Sequence, residues 1–310
     1  SLCDISSDAV ALDIGGTTTD ISLFADGEPL MEPHGISLGG RPTLVRSLVT
    51  RSIGIGGDST IRFEAGNVVV GPHRAGPSMA EGGEVPTLID ACNFAKKISH
   101  GDDALSAKGI EKFAKEWGMK PQALASDAIA FALRTIKTAV EELIRETNAK
   151  PVYTIHEMLE GKIVKPTHMF IMGGPARVFA PLLRDAFSLP VMVPEHYGVA
   201  NAIGAALART TFDIELLADT ERQKLIVPNL GIHETCDRSY SLEQAKKDAV
   251  ARLISYLKER GIVVREANAH IIEASSFNMV GGFYTTGKNI RVRCQVKPAV
   301  EVQLHSGGRQ

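Results

Sequence analysis

Asp13 and Asp20 bracket the run Asp13-Ile-Gly-Gly-Thr-Thr-Thr-Asp20, a tight polar turn between two apolar segments, 10–12 and 21–24. The flanks read as strands and the turn as their hairpin, because Gly15-Gly16 supplies the left-handed freedom such loops need. The turn is chemically loaded. Main-chain N–H groups beside Gly15 and Gly16 suit phosphate oxygens, and the hydroxyls of Thr17, Thr18 and Thr19 add donors. Two carboxylates among phosphate-seeking groups would repel that ligand unless a cation lay between them. Mg²⁺ is the usual one, held by one or two carboxylates, waters and phosphate. Asp13 and Asp20 are therefore candidate catalytic acids, as Mg²⁺ ligands or as positioners of water. The plainer reading is a Gly-Gly hairpin with solvated threonines, which leaves two acids and three consecutive hydroxyls without a purpose.

Two further glycine-rich stretches call for the same explanation. Ser52-Ile-Gly-Ile-Gly-Gly-Asp-Ser59 offers Gly56 and Gly57 to a nucleotide, with Asp58 as a catalytic group and Ser59 as a substrate contact. Gly173-Gly-Pro-Ala176 joins a strand to a helix, where an α/β sheet presents main chain and a positive helix terminus to a ligand. Gly173, Gly174 and Pro175 there leave a surface bare enough for a base or ribose. Between the two, Gly71-Pro-His-Arg-Ala-Gly-Pro-Ser78 carries His73 and Arg74, candidates for substrate or anion binding. Asp90 is expected to cap a helix and His196 to order its turn. No segment is GxGxxG after the first strand or GxxxxGK[ST], so neither a Rossmann site nor a P-loop is supported.

The elements that must position these loops alternate. Strands are expected at 61–63 and 68–70 and a helix at 107–117 that makes Trp117 core. A long helix then opens at Pro121. Its stripe, Leu124, Ala128, Ile129, Ala132, Leu133, Ile136, Val140, Leu143 and Ile144, has the three-four spacing of a core-facing helix. A strand at 169–172, a helix to near 187, a strand at 189–193 and a small-residue helix at 196–208 follow. That order is α/β. Beyond 213 the pattern changes, with polar breaks at 221–228 and 237–241, a helix at 242–260 and strands at 262–264, 270–274 and 290–296. Residues 1–213 read as one domain and 214–310 as an appended α+β module.

The 310 residues are 44% hydrophobic and 23% charged with a formal net charge of −2, the balance of an ordinary globular chain. Near-neutral charge without a Lys/Arg cluster argues against a nucleic-acid surface, and no apolar run approaches the roughly 18 residues of a membrane span. Cys3, Cys92, Cys236 and Cys294 are scattered without a CxxC, which indicates neither a disulfide framework nor a zinc knuckle and fits a reduced, cytoplasmic compartment. The chain opens at Ser1 without a Met and without a signal peptide, and is expected to be part of a longer protein.

The hairpin motif resembles the phosphate-binding hairpin of the actin, sugar kinase and Hsp70 superfamily, and Gly173-Gly-Pro-Ala176 resembles its adenosine motif. Within it the chain is similar to the hydantoinase/oxoprolinase family, of the hydantoinase A type. Supporting stretches are 13–20, 52–59, Val70-Gly-Pro-His-Arg-Ala-Gly-Pro77, Gly82-Gly-Glu-Val-Pro-Thr-Leu-Ile-Asp-Ala91, Met172-Gly-Gly-Pro-Ala176 and Tyr197-Gly-Val-Ala-Asn-Ala-Ile-Gly204, together covering about residues 10–209. The resemblance implies a ribonuclease H-like, actin-type ATPase fold that binds ATP and Mg²⁺. It implies ATP-dependent hydrolysis of a cyclic amide such as 5-oxoproline or a hydantoin, or carboxylation as in relatives of acetone carboxylase. A partner of hydantoinase B type or a homo-oligomer would go with it. Alternatives are a small-molecule kinase of the same fold, using one Asp as base, and a non-catalytic nucleotide-binding protein. The chain departs from the family in carrying His73-Arg74 where relatives have Glu-Ser, Asp58 where a third glycine is common, and one phosphate hairpin where an additional N-terminal lobe would supply another.

Overall fold

The computed structural model describes residues 5–32, 35, 37–38, 41–43, 47–149, 163–208 and 210–296. It divides into two compact units, Ser1–Ile203 and Gly204–Gln303.

The first unit is built on β1 (Ala9–Ile14), whose apolar run is buried on both faces except at Asp13. β2 (Thr19–Ala25) pairs antiparallel with β1, and β3 (Glu28–Pro29) and β4 (Thr50–Ile53) both pair antiparallel with β2. A small hairpin, β5 (Ile61–Glu64) and β6 (Asn67–Val70), stands apart from this sheet. On the other side of β1 lie β7 (His168–Met172) and β8 (Val191–Met192), each parallel to its neighbour. The order β8-β7-β1-β2-β3, with β2 reversed, is that of the ribonuclease H-like fold expected from the motifs.

Strand periodicity splits the faces. Val10, Leu12 and Ile14 enter the main core, which includes residues of α1 (Leu88–Phe94), α2 (Asp103–Glu116), α3 (Pro121–Asn148) and α4 (Ala176–Phe187). Ala9 and Ala11 pack on the opposite face with Phe170, and Asp13, two residues on, shares that face. Antiparallel register sets Asp20 directly opposite Asp13. Both carboxylates thus lie away from the helical core.

α3 begins with Pro121 as expected and buries Leu124, Ala125, Ala128, Ile129, Ala132, Ile136, Ala139, Val140 and Leu143. Leu133 and Ile144, expected in the stripe, flank it half-buried, and Ala125 and Ala139 take their place. α4 follows the Gly173 turn, and α5 (Ala200–Leu207) follows a single 3₁₀ turn at Tyr197–Val199, so the expected 196–208 helix starts later. β4 was not legible, because Thr50-Arg-Ser-Ile alternates like a solvated edge. Arg51 from it reaches Glu142 and Glu146 of α3 at 3.0 and 2.6 Å.

In the second unit β9 (Asp213–Asp219), β10 (Lys224–Val227), β11 (Ile232–Thr235), β12 (Ala269–Gly281) and β13 (Tyr284–Val296) form an antiparallel sheet in the order β11-β10-β9-β13-β12. α6 (Leu242–Glu259) lays Ala245, Ala249, Leu253 and Leu257, one residue per turn, against Ile214, Leu216, Ile290, Val292 and Cys294. Segment 221–228, expected to be broken, contains β10. Residues 262–264 join no strand, although Ile262 and Val264 pack on this core. The expected strands at 270–274 and 290–296 are parts of one hairpin, 13 residues a side, turning at Gly282-Phe283. Among the described residues no helix is long and apolar enough to cross a membrane.

Candidate functional site

Hydrogen bonds of the main chain fold the β1–β2 turn and the 54–59 loop onto each other. The Gly15 N–H donates to the Thr18 carbonyl at 2.8 Å and closes the turn. The Gly57 and Asp58 N–H groups then donate to the carbonyls of Gly15 and Gly16 at 2.9 and 2.7 Å. Two hydroxyls finish the joint. Buried Thr19 donates through Oγ1 to the Ile55 carbonyl at 2.7 Å, and buried Ser59 accepts the Gly56 N–H at 2.8 Å through Oγ. Both side chains are spent on holding loops. A Cβ at Gly56 would lie 2.6 Å from Gly15 O and from Gly16 C and O, main-chain atoms that have nowhere to go.

The third glycine segment closes on the same place. Gly173 follows β7, whose Met172 is in register with Asp13. Its φ of +94° is a left-handed value that side chains rarely adopt, and a Cβ there would meet Ile14 O at 2.1 Å and Asp13 Oδ1 at 2.7 Å. Gly174 is exposed with open space above it. Pro175 packs on Gly57, so the 173–176 turn touches the 54–59 loop directly. Beside this wall the Arg177 guanidinium stands 5.0 Å from the Tyr197 ring centroid, and the Gly173 N–H donates to Tyr197 O at 2.9 Å.

A fourth loop supplies charge. Thr60 binds the 71–78 loop three times, its N–H donating to His73 O at 2.9 Å, its carbonyl accepting the Gly71 N–H at 3.1 Å and its Oγ1 accepting the Ala75 N–H at 3.1 Å. Arg74 then pairs with Asp58, Nη2 to Oδ2 at 2.7 Å, directly over Gly16. Burial pushes the Asp58 carboxyl above its usual range; Arg74 opposes the shift, Glu81 adds to it and His100 opposes it. Glu81 and His100 are themselves 3.1 Å apart.

The structure therefore gathers Asp13, Gly15, Gly16, Gly56, Gly57, Asp58, Arg74, Gly173 and Pro175, with Gly174 at the rim. Thr17, Thr18 and Asp20 lie on the same turn, Thr18 and Asp20 exposed and Thr17 half-buried. Thr19 and Ser59 support the loops, and His73 anchors its own loop through its carbonyl while its residue is exposed. Asp90 is fully buried at α1, accepting from Met79 N, Ala80 N, Thr87 N, Thr87 Oγ1 and Ser106 Oγ at 2.7–3.0 Å. With Thr87 it forms the capping box of α1, the helix-capping role expected of it. Sequence reasoning missed Asn201, whose Nδ2 reaches Asp13 Oδ2 at 2.5 Å. Its one signal was being the sole polar residue of α5.

Two properties of this site fit a nucleotide and a hard cation. Among the described residues the N–H groups of Gly16, Thr17 and Thr18 make no main-chain bond, unlike that of Gly15, which leaves them for an anion. Asp13 and Asp20 face each other across the strands and neither forms an ion pair among the described residues, while no group of three His, Cys, Asp or Glu there could hold a metal alone. Two carboxylates completed by phosphate and water is the donor set of Mg²⁺.

Sheet order and convergent loops together define a mixed α/β domain of the ribonuclease H-like, actin-type ATPase fold. A solved structure with the same fold, nucleotide-free acetone carboxylase, aligns over 96% of this chain with a TM-score of 0.55 at 14% identity. The chain spans 47% of that protein's length. MreB 5 of Spiroplasma citri bound to AMPPNP aligns over 66% of this chain and 53% of its own, at 15% identity and a TM-score of 0.30. The chain belongs to the hydantoinase/oxoprolinase family, whose sequence profile matches residues 3–214. No curated protein matches it in sequence.

Proposed function

We propose that this chain is the nucleotide-binding part of an ATP-dependent enzyme that opens a cyclic amide of the 5-oxoproline or hydantoin type. The observation that carries the reading is the meeting of three glycine segments at Asp13, with the Asp58–Arg74 pair directly over Gly16. The Gly16, Thr17 and Thr18 N–H groups and the Thr17 and Thr18 hydroxyls would take the phosphates. Gly173, Gly174 and Pro175 would wall the nucleoside. Asp13 and Asp20 would hold Mg²⁺, which when bound neutralises phosphate charge.

In this reading the γ-phosphoryl group passes to the carbonyl oxygen of the amide. Water then attacks the carbonyl carbon, the ring C–N bond breaks with a proton delivered to nitrogen, and a second water hydrolyses the resulting acyl phosphate to phosphate and the ring-opened carboxylate. Asp58, kept protonatable by burial, accepts the proton of the attacking water. Arg74 leaves Asp58 to meet charge developing on the transferred group. His73, exposed on the same loop, contacts the substrate. A partner of hydantoinase B type completes the site. Acetone carboxylase, whose carboxylation of acetone is described as ATP-dependent, supports nucleotide use in this fold.

Thermal unfolding with and without Mg²⁺ and a non-hydrolysable ATP analogue tests the reading. Ligand at a hundred times its Kd adds about 2.7 kcal/mol, a rise of a few degrees. That rise disappears in Asp13→Ala. Phosphate release is then followed with 5-oxoproline, hydantoin and simple alcohols. Stimulation by the cyclic amides with ring opening supports the proposal, stimulation by alcohols alone replaces it with a kinase, and no thermal shift at millimolar nucleotide removes it.

A further inference from the structure

We infer that Asn201 is the positioning residue for the Asp13 carboxylate, fixing the orientation in which it receives the divalent cation. The inference rests on the reading of Asp13 as a Mg²⁺ carboxylate. Asp13 Oδ2 accepts from Asn201 Nδ2 at 2.5 Å, and Oδ1 lies against the Cα side of Gly173, where a Cβ would stand 2.7 Å away. The two contacts hold the carboxylate from opposite ends, one by a donated bond and one by steric fit, so its plane is set before any ligand arrives.

The chemistry of the donor matters. An Arg or Lys at this position would also bind Asp13 but would cancel its charge and compete with the cation. A carboxamide orients the carboxylate and leaves it anionic, so its remaining lone pairs stay available to a hard metal. α5 is otherwise Ala, Ile, Gly and Leu, and its only polar side chain is the one aimed at Asp13. Asn201 is exposed, so the bond contributes little to folding and its loss should leave the unit standing.

Mn²⁺, a paramagnetic stand-in for Mg²⁺, is titrated into the full chain with a non-hydrolysable ATP analogue, free ion being read by electron paramagnetic resonance. Loss of a carboxylate's supporting bond weakens metal binding roughly 10- to 100-fold. Asn201→Ala is expected to show that weakening, with metal-free unfolding temperature and metal-free nucleotide affinity unchanged. In an Asp13→Ala background the same substitution should add nothing, because the two act through one carboxylate. Equal Mn²⁺ affinity in Asn201→Ala and the parent overturns the inference, as do effects that simply add in the double variant. If the parent binds Mn²⁺ no better than Asp13→Ala, the Mg²⁺ reading of Asp13 fails and this inference falls with it.

Discussion

Asp58 combines an acid's chemistry with a burial that disfavours its charge, and this has a thermodynamic signature. Its carboxyl titrates above the ordinary 3.8 in the folded chain, chiefly through burial, with Arg74 pulling the other way. The folded state therefore binds a proton more readily than the unfolded state does. By linkage the contribution of this group to stability falls as pH rises from about 3.8 through the raised value. Urea unfolding across that range should show the parent losing stability relative to Asp58→Asn as pH rises, with a constant difference above it. The same substitution should lower kcat about 100-fold or more with any active substrate, the usual share of a positioned base. A flat difference curve would mean that Asp58 is not the perturbed group. The contrast with Thr19 and Ser59 is instructive: residue type suggested a catalytic group at Asp58 and ligand contacts at the other two, but both hydroxyls are buried and spent on Ile55 O and Gly56 N–H. Sequence shows which groups a residue carries; only the fold shows whether those groups are already used.

At the level of elements, the sheet was legible and its borders were not. β1 reads as an unbroken apolar run because both its faces are covered, whereas β4 and β10 mix charged and apolar residues in four-residue segments whose strand character comes from pairing with β2 and β9. The site was legible wherever it consisted of contiguous glycine-rich loops. Asn201 was not, since it meets Asp13 across 188 residues of chain. Asp90 shows what an internal carboxylate does when it is structural, tying the start of α1 to Met79–Ala80 and to Ser106 of α2. Asp90→Ala strands three main-chain N–H groups and two hydroxyls in the interior. It should cost at least about 3 kcal/mol, each unsatisfied buried group contributing roughly 1–3. For a unit of this size that is a fall of roughly 6–12 °C in unfolding temperature. A fall of under about 2 °C would show that water replaces the carboxylate.

Among the described residues the two largest hydrophobic cores are one around β1 and α3 and another under α6. Leu253 is fully buried in the second and takes no part in the first. Leu253→Ala should destabilise its unit by about 2–5 kcal/mol. Hydrogen exchange would register this as lost protection along Leu242–Glu259 with α3 unchanged, and equal loss in both places would mean the cores unfold as one. The family match ends at residue 214, about where the second core begins, so the motifs spoke for the first unit and were silent on the second. The architecture of the second unit was legible only in part, because the pairing that makes one hairpin of 269–296 leaves no local mark at its edges.

The β1–β2 turn, the 54–59 loop and the 173–176 turn meet through main chain, with glycines where side chains would collide. Main chain has no side-chain identity to lose, so this part of the site is indifferent to most substitutions and intolerant at a few glycines. His73 sits on a neighbouring loop that Thr60 fastens by its own main chain and hydroxyl, which leaves the His73 side chain exposed and without a part in that fastening. Under the proposed function, such a division lets descent with modification change what is acted upon while the main-chain part of the site stays fixed. On that reading a lineage explores new substrates by rewriting an exposed loop position such as His73, without rebuilding the main chain beneath it.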